Sequence, residues 1–326
     1  MIITRTPLRI SLGGGGTDLP SYYGKFGGVL ISGAITRYIY IAINRTVTED
    51  YLLKYSAFER VATVDEIDHP IVREVLRLHP IGPSIELVSL ADIPAGTGLG
   101  SSGSFAVGLL RAVYAFKREH VTAGELAEEA CHIEIDLLHR PVGKQDQYAA
   151  SFGGLTCFEI APDGKVNASP LTISNTTLRN LEEHLIMFFT GYSRDADEVL
   201  ADQMTRSEDG DAAMLERLHR VKEIGLASKA ALETGDTLEF ARLMDVHWQE
   251  KRQRSGLMSN SDIDRWYDMG MAHGALGGKL VGAGGGGYLL FYANDRDSLR
   301  LAMGAEGLSE VQVLFDHDGS TVIVRN

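Results

Sequence analysis

Cysteine is almost absent from this chain: Cys131 and Cys157 are the two in 326 residues. Two thiols cannot build a zinc site alone, and a disulfide framework needs more, so both read as reduced thiols of a cytosolic protein. Long apolar runs are missing too. No stretch approaches the roughly 20 uninterrupted residues of a membrane span. The chain starts on a strand-like segment, Met1-Ile2-Ile3-Thr4-Arg5-Thr6, with no signal peptide pattern, and a cytoplasmic location is expected. Positive charge is scarce: 31 Lys and Arg face 44 Asp and Glu, a net −13. That sign argues against nucleic acid and anionic membranes as partners, so an anionic substrate needs a few placed donors or a metal ion. There is no internal repeat. What remains, 44% hydrophobic and 23% charged residues, is ordinary globular composition, with length for two domains sharing a cleft.

Glycine is abundant and clustered. Of 36 glycines, Gly13 to Gly16 form one run, Gly96 to Gly103 hold four, and Gly282 to Gly287 hold five. Each cluster is flanked by apolar segments, which suits backbone that approaches a ligand or takes positive φ. Period-two patterning predicts strands at Leu8–Leu12, Arg37–Ile43 and Ile85–Val88. Helical spacing predicts helices over 102–117 and 124–138. Leu185–Thr190 reads as a strand, 195–234 as mostly helical, and 237–252 and 262–273 as helices. Strands are expected at 287–292, 311–315 and 321–324. Polar residues between Asn175 and Asn180 mark the expected boundary between domains 1–178 and 179–326.

Pro94-Ala95-Gly96-Thr97-Gly98-Leu99-Gly100-Ser101-Ser102-Gly103-Ser104 joins a strand to a helix start, with four glycines and three serines in eleven residues. Glycine lets several N–H groups converge, and a helix N-terminus favours a phosphate. The serines can cap the helix and ligate magnesium. Gly98, Gly100 and Gly103 also satisfy G-x-G-x-x-G. The acid that a dinucleotide fold wants about 20 residues on falls instead at Arg118 and Glu119, inside a helix. G-x-x-x-x-G-K-[ST] is absent, since His273 stands where its first glycine belongs and Leu280 follows Lys279. Glu250-Lys251-Arg252-Gln253-Arg254 puts three cations in four positions at a helix end, unusual at this net charge, although the helix dipole accounts for some of it.

These motifs resemble the GHMP kinases. Pro94–Ser104 matches that family's phosphate loop almost position for position. Pro7-Leu8-Arg9-Ile10-Ser11-Leu12-Gly13-Gly14-Gly15-Gly16-Thr17-Asp18 resembles its N-terminal substrate motif, and Val281-Gly282-Ala283-Gly284-Gly285-Gly286-Gly287 its C-terminal glycine motif. The resemblance implies an α+β fold of two domains. The first is ribosomal-protein-like with a left-handed β-α-β unit, and the second is ferredoxin-like. It also implies ATP, Mg2+ and a small hydroxyl-bearing substrate. ATP is expected on Pro94, Gly96, Gly98, Gly100, Ser101, Ser102, Gly103 and Ser104.

Within Gly143-Lys144-Gln145-Asp146-Gln147-Tyr148, the family places an aspartate beside the accepting hydroxyl, so Asp146 is the expected base. Arg9 is expected to pair with it and help balance the γ-phosphate, with Lys144 near the chemistry. The family's magnesium-binding glutamate falls on Glu134, with Ser102, though Asp136 is a rival. Gly14, Gly15, Gly16, Thr17, Asp18, Gly284 and Gly285 fall on substrate positions. Gly15 and Gly16 replace the acid and histidine of galactokinase, which leaves room for a larger ligand. The four glycines before Thr17-Asp18 resemble a subgroup holding heptose 7-phosphate kinases and the kinase part of fucokinase-type enzymes. That implies phosphorylation of an anomeric hydroxyl to a heptose 1,7-bisphosphate, for nucleotide-activated heptose and surface polysaccharide. A free sugar such as L-fucose or galactose is the alternative acceptor, and a non-catalytic sugar- or ATP-binding relative the alternative class. A phosphorylated acceptor needs a second anion site, for which Arg194, Lys251 and Arg254 are candidates. His247 and Trp248, on the same helix, read as core or edge residues.

Overall fold

The computed structural model describes residues 1–191 and 196–326. Its strands are β1 (Ile2–Gly13), β2 (Gly28–Arg45), β3 (Tyr51–Lys54), β4 (Phe58–Val61), β5 (Ile85–Ala91), β6 (Leu155–Ile160), β7 (Val166–Pro170), β8 (Leu185–Phe189), β9 (Ala275–Leu280), β10 (Tyr288–Ala293), β11 (Ser309–Gln312) and β12 (Thr321–Arg325). One sheet runs β12-β1-β2-β5-β3-β4, with β6 and β7 added beside β2. Two partners fit on one edge of β2 because it is 18 residues long. Its first third, Gly28 to Gly33, pairs with β6, and its last seven residues, Ile39 to Arg45, pair with β5.

The second sheet is antiparallel, β11-β8-β10-β9. Helices lie between β8 and β9, and Arg296–Ala305 lies between β10 and β11. That is the β-α-β-β-α-β order of a ferredoxin-like layer. The α+β architecture therefore agrees with the sequence expectation.

The helix Ser101–Lys117 is buried on most of its faces and lies on β1 and β2. A Cβ at Gly108 would stand 2.7 Å from Thr6 Oγ1, and Thr4 Oγ1 donates to the Gly108 carbonyl at 2.9 Å. Gly108 thus lets this helix sit close on the sheet. The main core joins Leu8, Ile10, Ile31, Ile41, Leu87, Leu109 and Val113, each removed from water. Burial of this kind is the principal favourable term in folding, at about 1.5–3 kcal/mol per large aliphatic side chain.

Four expectations need correction. The polar stretch at Asn175–Asn180 is a helix, Asn175–His184, capped by Ser174, so a break at 178/179 cuts it. The last strand, β12, pairs antiparallel with β1 in the first sheet. The strand expected at 311–315 ends at Gln312, because Phe315 leaves it to bridge Ile35 and cover Gly33 with its ring. The single helix expected over 124–138 is α-helical only to Cys131 and π-helical from His132 to Leu137.

Candidate active site

The first glycine loop leaves β5 and enters the helix Ser101–Lys117. Gly96, Gly98 and Gly100 take φ of 76°, 82° and 78°. Left-handed backbone at alternate positions is strained for any residue with a Cβ, which is why glycine recurs there. Gly100 itself is the N-cap, and no side-chain oxygen caps the helix. This corrects the expectation that serine caps it. The first-turn amides instead stand at the wall of a cleft of about 1050 Å³, with Ser101 and Ser102 lining it. Pro94, Gly96, Gly98 and Gly100 line it as well. Gly103 and Ser104 do not; the Ser104 hydroxyl donates to the Pro7 carbonyl at 2.9 Å and ties the helix to β1.

The third glycine loop packs on the first, backbone to backbone. A Cβ at Gly282 would lie 2.4 Å from the Gly98 Cα, and one at Gly287 2.1 Å from the Thr97 carbonyl oxygen. Gly284 reaches the cleft and Gly285 does not; the Gly285 amide donates to Met258 O at 2.9 Å.

Asp146 lies in the first turn of the helix Gln145–Phe152, directly beneath the first loop. Arg9, buried on β1, donates from Nε to Asp146 Oδ1 at 2.7 Å and places Nη2 2.6 Å from the same oxygen. Its Nη1 donates to the Gly98 carbonyl at 2.6 Å. One guanidinium therefore fixes both the loop and the carboxylate. Glycine makes this close stack possible: a Cβ at Gly103 would lie 2.6 Å from Asp146 Cβ, and one at Gly100 3.1 Å from Arg9 Cγ.

The second loop supplies another wall, from Gly15, Gly16 and Asp18. Asp18 is nearly buried, accepts from the Gly16 amide at 3.2 Å and from the Gln145 amide at 3.1 Å. It thereby joins this loop to the helix that carries Asp146. Burial pushes its carboxyl up, against the pull of those amides. Gly14 and Thr17 stay outside the cleft. The Thr17 hydroxyl is spent on the Gly14 and Val29 carbonyls at 2.9 and 3.0 Å, and a Cβ on Gly14 would strike the Val29 carbonyl oxygen at 1.8 Å.

Glu134 lies in the π-helical turn with no solvent exposure. Arg140 Nη1 is 2.7 Å from its Oε1, and Gln147 Nε2 donates to Oε2 at 2.7 Å. Ser102 also hydrogen-bonds the carboxylate, yet burial outweighs these pulls and raises its pKa. Asp136 points elsewhere, to His132 Nδ1 at 2.8 Å in a second, shallower concavity. Of the two acids, Glu134 is the one joined to Ser102.

Lys144 is corrected. Its ammonium turns away from the cleft and is satisfied by Glu128, at 3.0 and 2.9 Å, and by the Gly164 carbonyl at 2.8 Å. Two residues before Asp146, it faces the other side of the turn. Arg194 lies outside the described residues.

Sequence reasoning missed two features of the cleft. One is an apolar wall formed by Tyr55, His69, Ile71, Leu90, Ile93 and Phe105, on which His69 stacks over Phe105 at 4.7 Å. The other is Lys279, which joins the two expected cations Lys251 and Arg254 in one buried group. Lys251 Nζ donates to the carbonyls of Leu280, at 3.0 Å, and Gly282. Arg254 Nη1 donates to Gly15 O at 3.0 Å and Gln203 Oε1 at 3.3 Å. Lys279, on β9, meets His247 Nδ1 at 3.1 Å. All four side chains line the cleft. Burial, then the mutual repulsion of neighbouring cations, pulls Lys279 down to about 7 and Lys251 well below the ordinary lysine range. Burial brings Arg254 to about 10. The lone signal for Lys279 was a lysine set between glycines and an apolar run, Gly277-Gly278-Lys279-Leu280-Val281.

Comparison with known proteins agrees with this geometry. Residues 69–154 match the model of the GHMP kinases N terminal domain, and residues 228–308 that of the GHMP kinases C terminal domain. The chain is 31% identical over 306 residues to a D-glycero-alpha-D-manno-heptose 7-phosphate kinase of Campylobacter jejuni, covering 90% of this chain and 89% of that one. It is 27% identical to the L-fucokinase/L-fucose-1-P guanylyltransferase of Bacteroides fragilis over 89% of this chain but 34% of that protein. A crystal structure of a D-glycero-D-manno-heptose 1-phosphate kinase from Bacteroides thetaiotaomicron superposes with a TM-score of 0.81, covering both chains completely at 24% identity. That last likeness speaks for the fold.

Proposed function

The chain belongs to the GHMP kinases, and on that premise we propose that this ATP-dependent sugar kinase phosphorylates the anomeric hydroxyl of a D-glycero-D-manno-heptose 7-phosphate to the 1,7-bisphosphate. The observation that carries the reading is the Arg9–Asp146 pair, held under the uncapped start of the helix Ser101–Lys117 in one cleft with Gly15, Gly16 and Asp18. The nucleotide base lies on the apolar wall, and its phosphates meet the amides of the Pro94–Ser104 loop. The acceptor hydroxyl lies at Asp146. That carboxylate orients the hydroxyl and takes its proton as the phosphoryl group arrives in line. Arg9 fixes the carboxylate and offsets charge on the transferring group.

Mg2+ fits the donors present. Ser102 lines the cleft, and the fully buried Glu134 carboxylate that it touches lies behind the wall, the two hard-oxygen ligands that this ion takes alongside phosphate and water. Glu134 and Ser102 would hold the ion, which would supply charge to offset the phosphates, and Arg140 balances Glu134.

The reading is tested by ADP release over a panel of sugars and sugar phosphates. Highest kcat/KM with the heptose 7-phosphate supports it. Higher values with L-fucose or free heptose turn the assignment toward the fucokinase-like relatives, and no turnover with any sugar removes it.

A further inference from the structure

We propose that Lys251, Arg254 and Lys279, backed by His247, form a subsite for a phosphate that the acceptor itself carries, and that Lys279 sets the preference for phosphorylated over free sugar. The proposal rests on the sugar-kinase reading above and assigns two further residues to it, Lys279, which motif reasoning did not reach, and His247, which it read as core or edge.

The argument begins with charge. Each of the three cations is at most 6% exposed. Among the described residues none of them has a carboxylate within 4.0 Å. Buried charge without a counter-ion is costly, and three such groups facing one cavity repel one another. The chain as a whole carries −13, so this is no part of a general basic surface. An arriving anion removes both costs.

The unmet valences are all donors. Among the described residues Arg254 Nε and Nη2 have no partner, nor does His247 Nε2. Lys279 in its ammonium form donates to His247 Nδ1. A neutral imidazole that accepts at Nδ1 carries its proton at Nε2, so that orphaned atom is a donor as well. Burial and the neighbouring Lys279, Arg254 and Lys251 keep His247 neutral. A ligand for this corner must accept several hydrogen bonds at once and bear negative charge. A phosphate monoester does both.

Position separates the corner from the nucleotide's phosphates. Arg254 bonds the carbonyl of Gly15 and would be struck at 2.5 Å by a Cβ on Gly16, so it belongs to the acceptor loop. The missing side chain at Gly16 is what gives this guanidinium its place beside the loop. Lys279 and His247 come from β9 and the helix Thr237–Arg252, not from the Pro94–Ser104 loop. Lys251, through the Gly282 carbonyl, borders both sites. Asp18 and Glu250 are the acids that act on Arg254, and Arg9 acts on both lysines.

The test compares wild type with Lys279→Met, and Lys251→Met as a second variant, on heptose 7-phosphate and on free heptose. Loss of one charged donor to phosphate should raise KM for the 7-phosphate on the order of 30-fold and lower the preference for it over the free sugar by a similar factor. The KM for ATP should move less than threefold, a split that a merely structural defect would not give. If both acceptors suffer alike, or KM for ATP rises instead, the subsite is overturned while the kinase reading stands. If wild type prefers free sugars, the reading of the acceptor fails. The subsite is then judged on inorganic phosphate alone, titrated calorimetrically into protein filled with a non-hydrolysable ATP analogue. Binding that is lost in Lys279→Met supports the subsite, and no binding to wild type removes it.

Discussion

Gly103→Ala isolates what the close approach of the helix Ser101–Lys117 to Asp146 contributes. Gly103 stands in an ordinary helical conformation, so an alanine there brings no backbone strain. It improves helix propensity by up to about 1 kcal/mol. Its Cβ, however, would lie 2.6 Å from Asp146 Cβ and 3.0 Å from the Gln147 amide nitrogen. Neither neighbour is the far end of a flexible side chain. Ordinary van der Waals separation then requires the carboxylate, or the helix, to shift by roughly 1 Å, and misplacement on that scale costs on the order of 100-fold in rate. The variant should therefore be folded, with a melting temperature within a few degrees of wild type. Its KM for ATP should change less than threefold, since the Gly98 and Gly100 backbone is untouched, while kcat falls about 100-fold. Steady-state ADP release together with thermal unfolding reads all three. A kcat within twofold of wild type would show that Asp146 tolerates displacement, and would remove the claim that this stack positions a catalytic group.

Asp146→Asn should keep nucleotide affinity, measured by calorimetry with an ATP analogue, and lose between about 100- and 10,000-fold in kcat; unchanged turnover would unseat it as the base. Ser102→Ala should move the Mg2+ titration of activity to higher concentration, and an unaltered curve would argue against its role as a ligand. Stability of the unliganded protein should rise between pH 7 and 9. Lys279 is held at about 7 in the folded chain against 10.5 for an ordinary lysine, so across that window the unfolded chain binds the additional proton. The gain is up to about 1.4 kcal/mol per pH unit, and Lys251 contributes in the same direction. Urea midpoints that stay flat or fall would contradict it, and saturating phosphate should flatten the rise by keeping Lys279 charged.

The parts of the site legible in the sequence were those written in contiguous residues. Pro94–Ser104 was read as a phosphate-facing loop from its alternating glycines before a helix start, and the structure sets Pro94, Gly96, Gly98, Gly100, Ser101 and Ser102 on the cleft. Asp146 and Arg9 followed from the family pattern, and the structure brings them to 2.6 Å across 137 residues of chain. Adjacency misled at Lys144, where closeness in sequence was taken for closeness in space. A helix start rotates residues two apart to different faces. Thr17 misled for another reason: it was placed on a substrate position, but two backbone carbonyls and the Val29 amide already surround its hydroxyl. Lys279 could not be seen because β9 was not expected as a strand. Its neighbours are glycines and apolar residues, and nothing local marks a lysine as facing a cavity. His247 was read as core, and burial bore that out, but its ring also lines the cleft.

The glycine clusters show why composition alone underdetermines such a site. All three were read as places where backbone approaches a ligand. Several of their members instead let backbone approach backbone. Gly98 meets Gly282, Gly287 meets Thr97, and Gly14 meets Val29 and, through Gly225, the helix Ala212–Thr234. The Gly98–Gly282, Thr97–Gly287 and Gly14–Gly225 contacts join residues from the N-terminal half to residues from the C-terminal half, the first of them at the cleft itself. The Pro94–Ser104 loop is therefore braced from behind, by Val281 and Gly282 against Gly98 and by Arg9 against the Gly98 carbonyl. Donors fixed before the ligand arrives need no reorganisation when charge develops on it, which is the condition under which such donors lower a barrier most. The same bracing supports the proposed reading, in which a chain of strongly negative net charge holds a nucleotide's phosphates on dipoles fixed by glycine packing, with no broad positive surface required.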